Sequence, residues 1–237
     1  MGNQTMAVLC DSLEPLEKAL ELKRPRIQAG VQSWAASNHS RYPWRQPGKT
    51  PYEVFIGEAL LDKASARAIQ TYPAFIQRFP SLQSLAKAPE EDLHDLLSNF
   101  RLEQYTRQLR FSGERTLKEG HGQMPRDTQS LAMASGLPLF SVRIVMCFGY
   151  SLPVAVTDSN TEKMLCRLFQ RSLPAEPGQG LIKALGASLL PERNPQQYNS
   201  AFLDIGEQLC KHLSPRCDQC PVIEACDHAE SLPLRYR

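Results

Sequence analysis

The chain has 237 residues, 42% of them hydrophobic and 22% charged, with a formal net charge of +2. That length can bury one large core or two small ones, and a charge so near neutrality neither announces nor excludes a polyanionic partner, because a basic face can coexist with an acidic back. Seven cysteines, an odd number, argue against a secreted disulfide framework; no basic start followed by an apolar run opens the chain, and no window approaches 18 consecutive apolar residues, so no membrane span is expected.

Residues 1–26 read as a peripheral extension ending in the basic run Lys23-Arg24-Pro25-Arg26. A helix follows, with Ile27, Val31 and Trp34 at four- and three-residue spacing, and stops near Asn38 before the loop Tyr42-Pro43-Trp44-Arg45. Over 51–111 the pattern stays helical, with Pro73, Pro80 and Pro89 as punctuation. Pro89 with Glu90, Glu91 and Asp92 places a proline and three acids in a first helical turn. After a loop at 120–125, Asp127 can cap the next helix, which ends at Ser135-Gly136-Leu137-Pro138. Another helix runs from Phe140 or Ser141 to about Tyr150. Ser159-Asn160-Thr161-Glu162 has the form of a capping box ahead of a helix through Phe169, and a final helix from about Gln197 to Cys210 feeds a cysteine-rich loop. Alternating strand patterns are scarce, and repeats and low-complexity tracts are absent. The fold class is all-α.

That loop carries Cys210, Cys217, Cys220 and Cys226, spaced Cys-x6-Cys-x2-Cys-x5-Cys. Disulfides within so short a stretch would close tiny, strained loops, whereas four thiolates on one loop suit a cubane [4Fe–4S] cluster that needs ligands from different directions. Structural zinc usually draws on two knuckles a dozen or more residues apart, and remains the alternative together with unliganded thiols. Cys147 and Cys166 read as small core residues. The five histidines lack mutual metal spacing.

Two carboxylates stand out. Glu58 is the only ionisable residue in Val54-Phe55-Ile56-Gly57-Glu58-Ala59-Leu60-Leu61. Facing inward, it would be a desolvated general acid; on the polar side of an amphipathic helix it would be an ordinary surface glutamate. Asp158 follows an apolar stretch and precedes a helix, which suits an N-cap or a carboxylate facing a developing positive charge. The turn at 135–140 has the shape of a helix-hairpin-helix, where Gly136 would let backbone amides approach a phosphate. An ordinary glycine C-cap is the simpler reading. Trp44 reads as a packing anchor.

Taken in order over about 27–226, these pieces resemble the helix-hairpin-helix DNA glycosylases of the endonuclease III class. The likeness is to the MutY-type adenine mismatch glycosylases and the related thymine mismatch glycosylases. It rests on Tyr42-Pro43-Trp44-Arg45, Pro51-Tyr52-Glu53-Val54 with Gly57-Glu58-Ala59-Leu60-Leu61, and Val156-Thr157-Asp158-Ser159-Asn160. Asn199, Leu203-Asp204-Ile205-Gly206 and the cysteine spacing complete it. The resemblance implies a six-helix barrel over 51–157 with its hairpin at 135–140, packed against an iron–sulfur cluster domain built from 27–50 and 158–237. Double-stranded DNA would lie across the cleft, contacted by Gly136, Leu137, Phe140 and Asn160. The target base would be flipped out towards Glu58 and Asp158, which would divide the labour of N-glycosidic hydrolysis as paired carboxylates do in glycosidases. A monomer is expected, intracellular, cytoplasmic or nucleoid-associated, with a 4Fe–4S cluster as its cofactor.

Departures from the family pattern accompany the likeness. Phe140 stands where bifunctional relatives carry a lysine, so Schiff-base lyase activity is not expected. Pro138 replaces the second hairpin glycine and lacks an amide donor. Asp62-Lys63-Ala64 replaces the polar wedge after the glutamate helix, and Asn99-Phe100-Arg101 replaces a glycine-containing turn. Adenine opposite 8-oxoguanine competes with thymine or uracil opposite guanine as the expected substrate. The ending 11 residues after Cys226, with no room expected for the C-terminal domain that reads 8-oxoguanine in the MutY type, pulls away from the first, and the overall likeness holds it in play. A binding protein that has lost turnover, using the cluster as scaffold or redox sensor, is the reading of a different class.

Overall fold

The computed structural model describes residues 2–64, 67–97 and 103–233, with side chains over 13–62, 67–97 and 106–233. Among them there is no strand, and no helix is long and apolar enough to cross a membrane. The turn at 99–101 and the Lys63 side chain lie outside the described residues. The chain divides into two compact units, Ser40–Val154 and a second made of Met1–His39 with Ala155–Arg237. The expected boundaries at 50 and 157 thus move. Residues 42–45 belong with the first unit because Trp44 and Arg45 bury themselves against its central helix. Val156 belongs with the second because its amide donates to the buried Asn199 Oδ1 at 3.1 Å.

The expected peripheral extension is instead the first half of one long helix, α1, Gly2–Ser37, which continues through Pro15 and Pro25. A continuous stripe explains it: Leu13, Leu16, Leu20, Ile27, Val31 and Ala35 pack on a single core, and burial along that face outweighs the cost of the interior prolines.

The unit Ser40–Val154 is built round α2, Pro51–Ala64. Every residue from Val54 to Leu60 is buried, as befits a helix apolar on all sides. Around it come α3 (Ala68–Arg78), α4 (Leu82–Ala86), α5 (Glu90–Leu97), α6 (Glu103–Glu119), α7 (Thr128–Ser135) and α8 (Leu139–Ile144), the last running into a π turn at Val145–Gly149. Pro73 lies inside α3 and does not break it, with Tyr72 and Phe75 buried on either side. α2 packs on α3, α8, the π turn and the 3₁₀ turn Pro43–Arg45. A Cβ on Gly149 would fall 2.6 Å from Pro51 Cα, so only glycine lets the π turn meet the start of α2.

In the second unit, α1 packs on α11 (Pro195–Gln208), which in turn meets α9 (Ser159–Leu168); α10 (Gln179–Ser188) and α12 (Asp227–Glu230) also lie on α9. The core is Ile27, Val31, Leu165, Phe169, Leu189, Ile205 and their neighbours. A Cβ on Gly30 would meet Pro221 O at 2.2 Å, so α1 touches the cysteine loop backbone directly. Lys23 donates to Leu168 O at 2.6 Å and pairs with the buried Asp227, whose Oδ2 also accepts from the Arg171 amide at 3.0 Å.

Candidate functional site

Glu58 faces inward, 1% exposed, with polar partners at its carboxylate. Its Oε1 accepts from Trp44 Nε1 at 2.8 Å and Arg45 Nε at 2.9 Å, and forms an ion pair with Arg45 Nη2 at 2.8 Å. None of these donors reaches Oε2. A buried carboxylate requires such partners, because an uncompensated charge away from water is costly. The donors are held in turn: Arg45 Cζ lies 4.4 Å from the Tyr42 ring centroid, and the Trp44 ring sits 5.4 Å from Tyr42 and 5.1 Å from Tyr72. Gly57 makes the arrangement possible, since a Cβ there would come within 2.1 Å of the Trp44 ring. Trp44 is therefore the packing anchor its context suggests and also a hydrogen-bond donor to Glu58. The sequence reading missed Arg45 and Gly57. The signal for Arg45 was its place beside Trp44, once an inward Glu58 demands a cation.

Asp158 is the N-cap of α9, so the capping box begins one residue earlier than Ser159. Its Oδ1 accepts from the Thr161 amide at 2.8 Å, and Thr161 Oγ1 accepts from the Asp158 amide at 2.7 Å. Gly206 brings α11 against this turn: a Cβ there would lie 3.3 Å from both Asn160 C and Thr161 N. The neighbouring Asn160 accepts from Lys163 Nζ at 3.2 Å. Glu58 lies in one unit and Asp158 and Asn160 in the other, each organised by its own surroundings.

At the hairpin, α7 starts at the expected cap, Asp127, whose carboxylate accepts from the Ser130 amide at 2.7 Å. It ends in Gly136 with φ +69°, a left-handed C-cap. Leu137 donates its amide to Ser135 Oγ at 3.2 Å, and Pro138 has none to give. Two positions of the turn thus offer no free amide to a phosphate. Phe140 is half-buried on α8.

Cys210 closes the turn after α11, Cys217 and Cys220 bracket a 3₁₀ turn with Cys220 N–H donating to Cys217 O at 3.1 Å, and Cys226 follows a second 3₁₀ turn. All four line one cavity with Met164, Leu168, Leu209 and Val222. Among the described residues, no three Cys, His, Asp or Glu side chains are disposed to hold a single metal ion. Burial in this apolar wall pushes the Cys220 thiol up to about 12 and raises those of Cys217 and Cys226; the neighbouring sulfurs add to each shift. The protein alone therefore disfavours the thiolates of these three, and a cationic centre would offset that penalty. The donor set, four sulfurs on an apolar cavity, fits an iron–sulfur cluster. Beside it, burial and the Arg167 charge lower the pKa of His228.

Solved structures share this architecture. A thermostable thymine-DNA glycosylase superposes with a TM-score of 0.81 at 20% identity, covering 90% of this chain and 100% of that one. An endonuclease III trapped as a covalent intermediate with DNA gives 0.68 at 17% identity, covering 90% and 99%. The chain therefore has the fold of these helix-hairpin-helix glycosylases of the endonuclease III type.

In sequence it is similar to adenine DNA glycosylases. It is 26% identical over 213 residues to that of Homo sapiens, spanning 84% of this chain and 39% of that protein. With that of Mycobacterium tuberculosis it shares 25% identity over 193 residues, spanning 80% and 64%. The chain thus spans less than two thirds of the length of these relatives. No protein-family model matches it.

Proposed function

We propose that the chain is a monofunctional DNA N-glycosylase that removes a mispaired or modified base, flipped out of double-stranded DNA, by hydrolysis of its N-glycosidic bond. The observation that carries this is Glu58, buried at 1% exposure and held by Trp44 and Arg45 through Oε1 alone, in a chain whose relatives by sequence and fold are DNA glycosylases. With Oε1 held by Trp44 and Arg45, Glu58 would orient the attacking water or pass a proton to the departing base. Asp158 would stabilise the oxocarbenium-like sugar with its charge, and the cap it provides fixes its position. Cys210, Cys217, Cys220 and Cys226 would hold a 4Fe–4S cluster, which when bound supplies a staple for the C-terminal loop. Adenine, and thymine or uracil opposite guanine, are the substrates to test.

A panel of duplexes, each bearing one candidate lesion, tests the reading. The expected product is an abasic strand that breaks only after alkali or heat, because Phe140 cannot form a Schiff base. Glu58→Gln should reduce single-turnover base release by at least ~100-fold. Asp158→Asn should slow release while leaving stability almost unchanged, since Asn caps nearly as well as Asp. The reduced amide supply of the hairpin favours a second reading, an iron–sulfur protein without turnover. Release of no base from any duplex by iron-replete protein would select it.

A further inference from the structure

Arg167 occupies the last turn of α9 and lines the same cavity as the four cysteines. Its Nη1 donates to Cys210 Sγ at 3.3 Å and to Lys211 O at 2.8 Å, and its Nη2 donates to His212 O at 2.8 Å. Its own carbonyl faces Cys226 Sγ at 3.7 Å. One residue therefore grips the first cysteine and the two residues after it through its side chain, and touches the last cysteine through its backbone. A planar guanidinium suits this task, since its fork satisfies several acceptors at once, whereas an ammonium acts as a point charge.

We infer that Arg167 is a positioning and tuning residue for the cluster, holding Cys210 in ligating pose and donating a charge-assisted hydrogen bond to its thiolate. The inference rests on the iron–sulfur reading of the four cysteines. The physical consequence concerns redox poise. Reduction by one electron places additional negative charge on cluster and sulfurs, and a cationic donor on sulfur stabilises that state more than the oxidised one. Arg167 thereby raises the reduction potential. It also slows loss of iron, because partners that orient a ligand are worth ten- to a hundredfold in metal retention, roughly.

Arg216 provides the control. It lines the same cavity and carries the same charge, but it does not share the Arg167 bond to Cys210 Sγ.

The test compares full-length parent protein with Arg167→Gln, Arg167→Lys and Arg216→Gln, each first assayed for iron and sulfide. Parent protein with stoichiometric zinc and no iron would sink the iron–sulfur reading itself, and with it this inference. With iron established, protein-film voltammetry, in which the electrode supplies the electron, reads the potential. Arg167→Gln should shift the one-electron equilibrium about tenfold towards the oxidised cluster, ~59 mV, and release iron to a chelator ~10-fold faster. Arg167→Lys should fall between Gln and parent, and Arg216→Gln should shift the potential less than Arg167→Gln. If Arg167→Gln does not retain its cluster, Arg167→Lys carries the test in the same direction. A parental potential in an iron-replete Arg167 variant would overturn the inference, as would an equal shift in Arg216→Gln.

Discussion

Replacing Arg45 by methionine leaves the Glu58 carboxylate buried with Trp44 as its remaining donor among the three that meet Oε1. The side chains of Arg45 and Glu58 are 5% and 1% exposed, so solvent can do little to replace the lost cation. Breaking a buried pair from one side costs about 3–5 kcal/mol. The surviving Trp44 bond places the expected cost near the lower end, at ~3 kcal/mol, and the similar length of methionine limits the cavity left behind. Adding Glu58→Gln removes the stranded charge while preserving an acceptor for Trp44 Nε1. The double variant should therefore regain at least ~1.5 kcal/mol over Arg45→Met, a coupling large enough for a double-mutant cycle. Urea unfolding followed by tryptophan fluorescence supplies the four stabilities. An Arg45→Met variant within ~1 kcal/mol of the parent at an unchanged m-value, or no recovery on adding Glu58→Gln, would refute the buried ion pair as the support of Glu58.

Gly57→Ala should cost ~1–3 kcal/mol or more, because the new methyl meets the Trp44 ring at 2.1 Å; displacement of the ring should show as a changed Trp44 environment in near-ultraviolet circular dichroism. Asn199→Ala strands the buried Val156 amide and should destabilise by ~1–3 kcal/mol in the same urea assay. The Ser130 amide beside Asp127 holds its carboxyl below the ordinary carboxylate range. Asp127 thus stabilises α7 above its unfolded pKa, and this contribution is lost as pH falls through the lower folded value; the difference between parent and Asp127→Ala should be present at pH 7 and vanish in strong acid.

What the sequence revealed was local. The Asp127 cap, the acidic start of α5 and the glycine stop at Gly136 are each decided within one helical turn, and all three stand where expected. The cysteine spacing is likewise readable over a short stretch. Glu58 was ambiguous because one charge in an apolar helix fits either a polar stripe or a buried pair. The choice is made by Trp44 and Arg45, 14 and 13 residues away, and by the π turn at Val145–Gly149 packed on α2. The continuity of α1 was hidden for a similar reason: Pro15 and Pro25 are local stop signals, overruled by a core supplied mostly from beyond Met164. Arg167 touches Cys210 across 43 residues, a distance at which spacing carries no information.

The unit containing the cysteines is assembled from the two ends of the chain, with Ser40–Val154 between them. During synthesis the intervening unit has all its own residues once Val154 has emerged, whereas α1 is made first and must wait for α11. At ~5–20 residues per second, that delay is on the order of ten seconds, with the apolar stripe from Leu13 to Ala35 lacking its α11 partner. The four cysteines come later still, so they can be brought together only after Cys226 has emerged. The order of synthesis makes α1 and the later cysteine loop mutually dependent, and until they meet the apolar stripe of α1 is open to proteolysis and aggregation.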